Sequence, residues 1–442
     1  MTRNNLCFFS LGFIIICLSG NADPLCAQTA MPGMAAMENS VGFLSSGTSV
    51  EPKTTSESAP VFHTSLGNWT LMFHANGFVL DAQQTGPRGT DKLFSVNWLM
   101  PMLSRDFGRH TLTFRTMFSL EPATVTDRRY PELFQSGETA YGLPLVDGQH
   151  PHDLFMEIAG RYDFRLSERA RLFVYGGPIG EPALGPTAYP HRASASENPV
   201  AVLGHHQEDS THVSDSVITV GVSQGPLQLE ASTFHGREPG ENRWNIDTGK
   251  PDSFSSRLTV SMGTTLAGQF SIGRINNREA LEPSLDTLRT TASVHHNVRF
   301  SRGHVSSSLI WGRNKDLPGR GARIFNSYTA ESTVNFRDRN WAWTRIENVD
   351  RDRTLLVGEI PAAFEVEEDP IGRVQAYTFG YERDLPIGPS FLNVGLGFQA
   401  TAYGVPPQLK SAYGGHPAAF SVFLHLRPNG NVGPHMRMMH QH

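Results

Sequence analysis

The chain has 442 residues, a net charge of −5 at neutral pH, 42 glycines and three cysteines. The slightly acidic balance excludes nucleic acid as a partner, since that calls for a basic surface. All three cysteines fall within the first 26 residues, which excludes a disulfide-stapled secreted scaffold.

Residues 1–27 read as an export signal peptide. Arg3 supplies the positive charge, "LCFFSLGFIIICL" (Leu6 to Leu18) the apolar run, and Ala22 and Ala27 the small residues that suit cleavage. The run is too short for a membrane-spanning helix, which takes roughly 20 residues, and no lipobox precedes Cys17 or Cys26. Residues 28–64 read as a disordered leader and Pro/Ser/Thr-rich linker. The leader carries Met31, Met34 and Met37 at a spacing of three.

From residue 65 to 427 the dominant pattern is two-residue alternation. In "RHTLTFRTMFSLE" Leu112, Phe114, Phe118 and Leu120 share one face, opposite Thr111, Thr113, Arg115 and Ser119. "DLFMEIAGRYDF" and "TLRTTASVHHNVRF" repeat the pattern. The alternation predicts strands at 67–80, 91–103, 109–121, 153–165, 169–177, 216–223, 226–235 and 254–262. It continues at 266–276, 287–300, 303–313, 324–336, 340–348, 371–383, 389–403 and 418–427. Many approach the 9 to 11 residues that a tilted membrane strand needs. Short connections such as "LSE", "QG" and "RDR" alternate with long ones near 122–152, 178–215, 236–253 and 349–370. The expected fold class is therefore all-β, an antiparallel transmembrane β-barrel of about 16 strands (14–18) with long external loops.

In this organisation the chain resembles bacterial outer-membrane β-barrel proteins over roughly residues 65 to 427. The runs "DGQHPHDLF", "GEPALGP", "LGHHQEDSTH" and "HGREP" are also similar to those of a His-rich group of bacterial exported proteins that brings no established activity. The resemblance implies outer-membrane lipid and the outer-membrane assembly machinery as partners, metal ions or small solutes as ligands, and an outer-membrane location. Nothing in it sets the oligomeric state. One departure stands out. Barrels of this kind commonly end on an aromatic residue, whereas "AAFSVFLHLR" is followed by fifteen further residues.

Candidate ligands collect in the long loops. "DGQHPHDLF" contributes His150, His152 and Asp153; "LGHHQEDSTH" contributes His205, His206, Asp209 and His212; His235 ends a strand nearby. A His-x-His pair in extended chain presents both rings to one side, and imidazole with carboxylate suits Zn²⁺, Ni²⁺ or Cu²⁺. So polar a stretch as 203–212 is expected in a loop at the barrel mouth, not in a core. The Pro/Gly-rich "GGPIGEPALGPTAYP" predicts that this loop, which also holds His191, turns inward as a plug. The competing reading is a hydrogen-bonded polar network that only orders the loops.

The tail at 428–442 carries His435, Met436, Met438, Met439, His440 and His442. Thioethers select Cu(I), and imidazole accepts either copper state. The layout, a Met-rich leader before a barrel, is similar to that of the outer-membrane copper-resistance family, whose barrel sequence is absent here. Copper or another transition metal is therefore the expected ligand, for binding, tolerance or transport. A general pore or structural barrel is the alternative. A lipid-active hydrolase built on Ser210, His212 and Asp215 lacks a nucleophile elbow. No enzymatic role is expected. Lumen-parity Arg115, Arg161, Arg289 and Arg299 are expected to pair with carboxylates such as Glu157 and Asp163.

Overall fold

The computed structural model describes residues 45–429 except 57, 59–60, 279–283, 318–322 and 358–369. The export signal, the leader methionines Met31, Met34 and Met37, and the tail ligands His435, Met436, Met438, Met439, His440 and His442 lie outside the described residues.

Nineteen strands are described. The first eight are β1 (Phe62–Leu66), β2 (Trp69–Gln84), β3 (Lys92–Phe107), β4 (His110–Phe118), β5 (Tyr130–Ala140), β6 (Leu143–Gln149), β7 (Phe155–Arg165) and β8 (Ala170–Gly180). Next come β9 (Ser214–Gln224), β10 (Leu227–Phe234), β11 (Ser253–Met262), β12 (Leu266–Ile275), β13 (Thr287–Phe300) and β14 (Gly303–Asp316). The last five are β15 (Ile324–Phe336), β16 (Asn340–Asp352), β17 (Pro370–Leu385), β18 (Leu392–Gly404) and β19 (Ala418–Pro428). All but β1, β5 and β6 pair antiparallel around a ring, and β19 closes it on β2 through registers such as His425↔Phe78. The result is a closed barrel of 16 strands. Every predicted strand window is occupied by one of them. β2, β3 and β17 run to 16 residues, longer than predicted.

The alternation explains the closure. Along β13, Thr287, Arg289, Thr291, Ser293, His295 and Asn297 are buried, while Val294 and Val298 are exposed. Along β19, Phe420, Val422, Leu424 and Leu426 are exposed, and Ser421, His425 and Arg427 are buried. Polar residues inside and apolar ones outside invert the arrangement of a water-soluble protein and match a barrel bathed in lipid. The outward aromatics include Phe114, Tyr162 and Phe300, as their parity predicts. Closure also removes the free strand edges that would otherwise carry unpaired backbone groups.

Two segments fill the lumen. Residues 181–213, between β8 and β9, form a plug that is buried nearly throughout. Arg192 at its centre donates to Glu331 of β15 (2.6 Å), Ser194 meets Ser308 of β14 (2.7 Å), and Leu203 N–H donates to Glu347 of β16. On other sides Ala183 N–H reaches Ser232 of β10, Gly185 N–H reaches Ser271 of β12, and Glu197 pairs with Arg427 of β19. The inward turn expected of this loop is present. Burial of "LGHHQEDSTH" is not what its polarity predicts. The lumen is a polar core, so a polar segment with hydrogen-bonding partners is at home there.

The second segment is 45–56, expected to be disordered linker. Its backbone is instead held inside the barrel: Arg115 donates to the carbonyls of Ser45 (3.1 Å) and Gly47 (2.6 Å), and Arg257 to Thr48 Oγ1 (2.9 Å). It leaves at the short-turn end, where Thr54 N–H donates to Thr264 O (3.1 Å). Composition alone suggested disorder; buried arginines that need acceptors order the segment. The long loop after β4 is also structured, through the β5–β6 hairpin. Its turn residues, Tyr141 and Gly142, both have positive φ, the condition for a tight two-residue connection.

Candidate functional site

The histidines singled out in the sequence meet in the lumen near the long-loop end, in two adjoining pockets. A single short turn of helix, His205–Glu208, divides them. Successive residues on a helix point about 100° apart, so His205 and His206 enter different pockets although their ring centroids are 5.4 Å apart.

The first pocket is acidic. Glu138 of β5, His206 and Glu238 each offer a ligand atom within 4.8 Å of the others. His206 packs over Gly137, whose φ is +133° and where an added Cβ would lie 3.2 Å from the ring. Glycine at this position is what lets the imidazole approach. His206 Nδ1 is buried, 3.6 Å from Glu238 Oε1, and has no hydrogen-bond partner. His150 Nε2 contacts Glu138 Oε1, and Arg243 donates to Glu138 Oε2 (2.7 Å) and Asp153 Oδ2 (3.3 Å). Burial opposes ionisation of Glu138, but the neighbouring His150 and Arg243 outweigh it and hold the carboxyl well below its usual range. Glu238 is likewise held low, burial being outweighed by His206. Both carboxylates are thus ionised at neutral pH. Asp153, pushed up to about 6 chiefly by burial, serves Arg243.

The second pocket is imidazole-rich. His152 Nδ1 faces Glu121 Oε1 (3.0 Å), His205 Nδ1 faces Asp209 Oδ1 (2.6 Å), and His212 Nδ1 faces the Asp209 carbonyl (3.0 Å). Acceptors on all three Nδ1 atoms place the donor proton there and leave Nε2 as the free lone pair. The His212 ring centroid lies 5.4 Å from that of His152 and 5.1 Å from that of His205. Tyr189 Oη is 3.3 Å from His152 Nε2, and His212 Nε2 has no partner. Burial and the two neighbouring imidazoles push His212 down to about 3, and burial lowers His205. Both rings are therefore neutral, the form that binds metal.

Several expectations are corrected by this geometry. His150 and His152 do not present both rings to one side. Pro151 separates them outside any strand, and one joins Glu138 while the other joins Glu121. Asp209 is an orienting acceptor tied to His205 and Arg192 (3.2 Å). His235 is not brought to either pocket; its Nδ1 donates to Lys250 O (3.1 Å) beside Asp252. Ser210 donates to Glu238 (3.4 Å) and His212 Nε2 has no partner, so these two are not joined as a hydrolytic pair requires. Glu138, Glu238, Glu121 and Tyr189 were not legible beforehand. Of the expected arginine–carboxylate pairs, Arg115–Glu157 (2.6 Å) and Arg161–Asp163 (2.9 Å) are formed. A second convergent set, Glu197, Glu382 and His425, already holds a cation, because Arg427 donates to both carboxylates at 2.7 Å.

No protein-family model matches the chain, and no curated protein matches its sequence. Solved structures do match in fold. Pseudomonas putida OprB is similar with a TM-score of 0.50 at 9% identity, over 82% of this chain and 94% of that one. Salmonella typhi OmpF, solved in complex with daunomycin, has a TM-score of 0.48 at 7% identity, over 82% of this chain and all of the other. The chain has the fold of a Gram-negative outer-membrane barrel. The likeness extends to the fold alone.

Proposed function

We propose that this chain is an outer-membrane barrel that binds a transition-metal ion, copper foremost, in its lumen as part of metal tolerance or transport. One observation carries the reading: the convergence of Glu138, His206 and Glu238 around a buried His206 nitrogen that has no other partner. A buried polar atom without a partner costs about 1–3 kcal/mol, and an ion would satisfy it. Two carboxylates and an imidazole suit a borderline divalent ion such as Cu²⁺ or Zn²⁺. His150 lies alongside as a further ligand, and the adjoining pocket supplies the neutral imidazoles of His205 and His212.

Binding of Cu²⁺ and Zn²⁺ to the detergent-solubilised barrel tests this by calorimetry. His206→Ala and Glu238→Gln should each weaken binding at least tenfold while the barrel keeps its heat-modifiable gel mobility. Unchanged affinity in both folded variants refutes the reading. The Met/His tail is separated by truncation at residue 429, which should leave the lumenal site intact.

The second reading is a barrel whose lumen residues only hold the plug. It is favoured by the Arg192–Glu331, Arg345–Glu331 (3.0 Å) and Arg427–Glu382 pairs, which need no ion. Metal-independent conductance together with unaltered metal affinity in the variants selects it.

A further inference from the structure

One side of the lumen wall departs from the polar pattern. Met72 of β2, Met100 and Met102 of β3, Met117 of β4 and Met156 of β7 form one buried cluster with Trp98. All lie at inward-facing positions, among neighbours such as Ser104, Thr113 and Arg115. Against them the plug places His191, and β2 places His74, each more than nine-tenths buried. His191 Nε2 is 3.2 Å from Met117 Sδ. The rings of His74 and His191 are 5.8 Å apart, and both pack on Trp98, at 4.7 and 4.5 Å. Neither Nδ1, of His74 or of His191, has a hydrogen-bond partner.

Thioether packing on an indole accounts for the methionines. It does not account for two buried imidazoles gathered at the sulfurs, His191 with only a thioether, a weak acceptor, at its Nε2 and His74 with nothing at its Nδ1. We propose that Met117 and His191, with His74 and the adjoining thioethers, form a binding site for a soft monovalent cation, Cu(I) or Ag(I). At the lengths of zinc–imidazole and zinc–thiolate bonds, about 2.0 and 2.3 Å, nitrogen and sulfur on one metal stand roughly 3.3–3.6 Å apart at near-tetrahedral angles, so the 3.2 Å pair need open only slightly to take a cation. Soft ligands of this kind select Cu(I). The ligand set is uncharged and suits a single positive charge, and Glu157 at 2.6 Å offsets the neighbouring Arg115. Burial, with His74 and Arg115 nearby, keeps the His191 imidazole neutral. The site shares no residue with the Glu138–His206–Glu238 pocket and stands or falls independently of it.

The test is titration of the full-length, detergent-solubilised barrel with Ag(I) in chloride-free buffer, read as bound equivalents and as tryptophan fluorescence. The double variant Met117→Leu/His191→Gln, which keeps side-chain volume, should bind one equivalent fewer and lose the fluorescence change, with Zn²⁺ affinity unaltered. His206→Ala should leave the tryptophan fluorescence change in place. An equal number of Ag(I) equivalents in wild type and double variant overturns the proposal. So does loss of the fluorescence change on His206→Ala, which would put the soft ion at the other pocket.

Discussion

Arg192 shows how much a single side chain does inside this lumen. Its guanidinium serves Glu331, Asp209 and the Thr187 carbonyl, and Arg192→Ala would take one cation from two buried carboxylates, leaving Glu331 to Arg345 and Asp209 to His205. Removing one partner of a buried pair costs about 3–5 kcal/mol, so the denaturant midpoint should fall by an amount that Arg192→Lys partly restores. Protonation acts on the same scale. Burial pushes Glu51 up to about 7 and Glu132, Glu181 and Glu208 up to about 8. A carboxyl that is protonated only when packed favours the packed plug at low pH, and loses that contribution as pH rises through its folded value. The buried imidazoles have the opposite sign: they cost stability as pH falls below about 6.5. The two effects oppose each other between pH 4.5 and 6.5. Above that only the carboxyls titrate, so the plug should loosen between pH 6.5 and about 8. Single-channel conductance should rise over that interval, and Glu181→Gln/Glu208→Gln should flatten the rise. Such couplings could not be read from sequence. Glu138, His206 and Glu238 belong to three segments, and no spacing announces that they meet.

At the scale of elements, strands were legible because inside and outside differ so sharply here. Where Val294 alternates with His295 and Leu424 with His425, one residue of slippage would put imidazole in lipid. Strand ends were less legible, because β2, β3 and β17 continue past the apolar band. The plug was legible in part: Pro and Gly indicated an inward turn, and nothing indicated which wall it would meet. Gly312 of β14 illustrates the missing information. A Cβ there would lie 2.4 Å from Gln207 O, so the wall is thinned where the short helix leans on it. Gly312→Val should push His205–Glu208 inward, separate His206 from Glu238 and weaken Zn²⁺ binding more than tenfold. The outer face of β14 is untouched, so gel mobility of the folded barrel should not change.

For the whole molecule, the decisive feature is a lumen occupied from two directions. Residues 45–56 run to the short-turn end and the plug spans from β10 to β16 and β19, so an unmodified barrel should conduct far less than an open one of 16 strands. Removing residues 186–212 should raise conductance several-fold in planar bilayers. That loop leaves the wall after β8, yet the groups that anchor it, Glu331, Arg345, Glu347 and Arg427, belong to strands made much later in the chain. A half-built barrel therefore offers the loop Arg257 and the hydroxyls of β10 and β12 but lacks the partners of Arg192, Glu197 and Leu203 on β15, β16 and β19. Synthesis order and docking order are thereby uncoupled, and the half of the plug around Arg192 and Glu197 should seat only when the ring shuts.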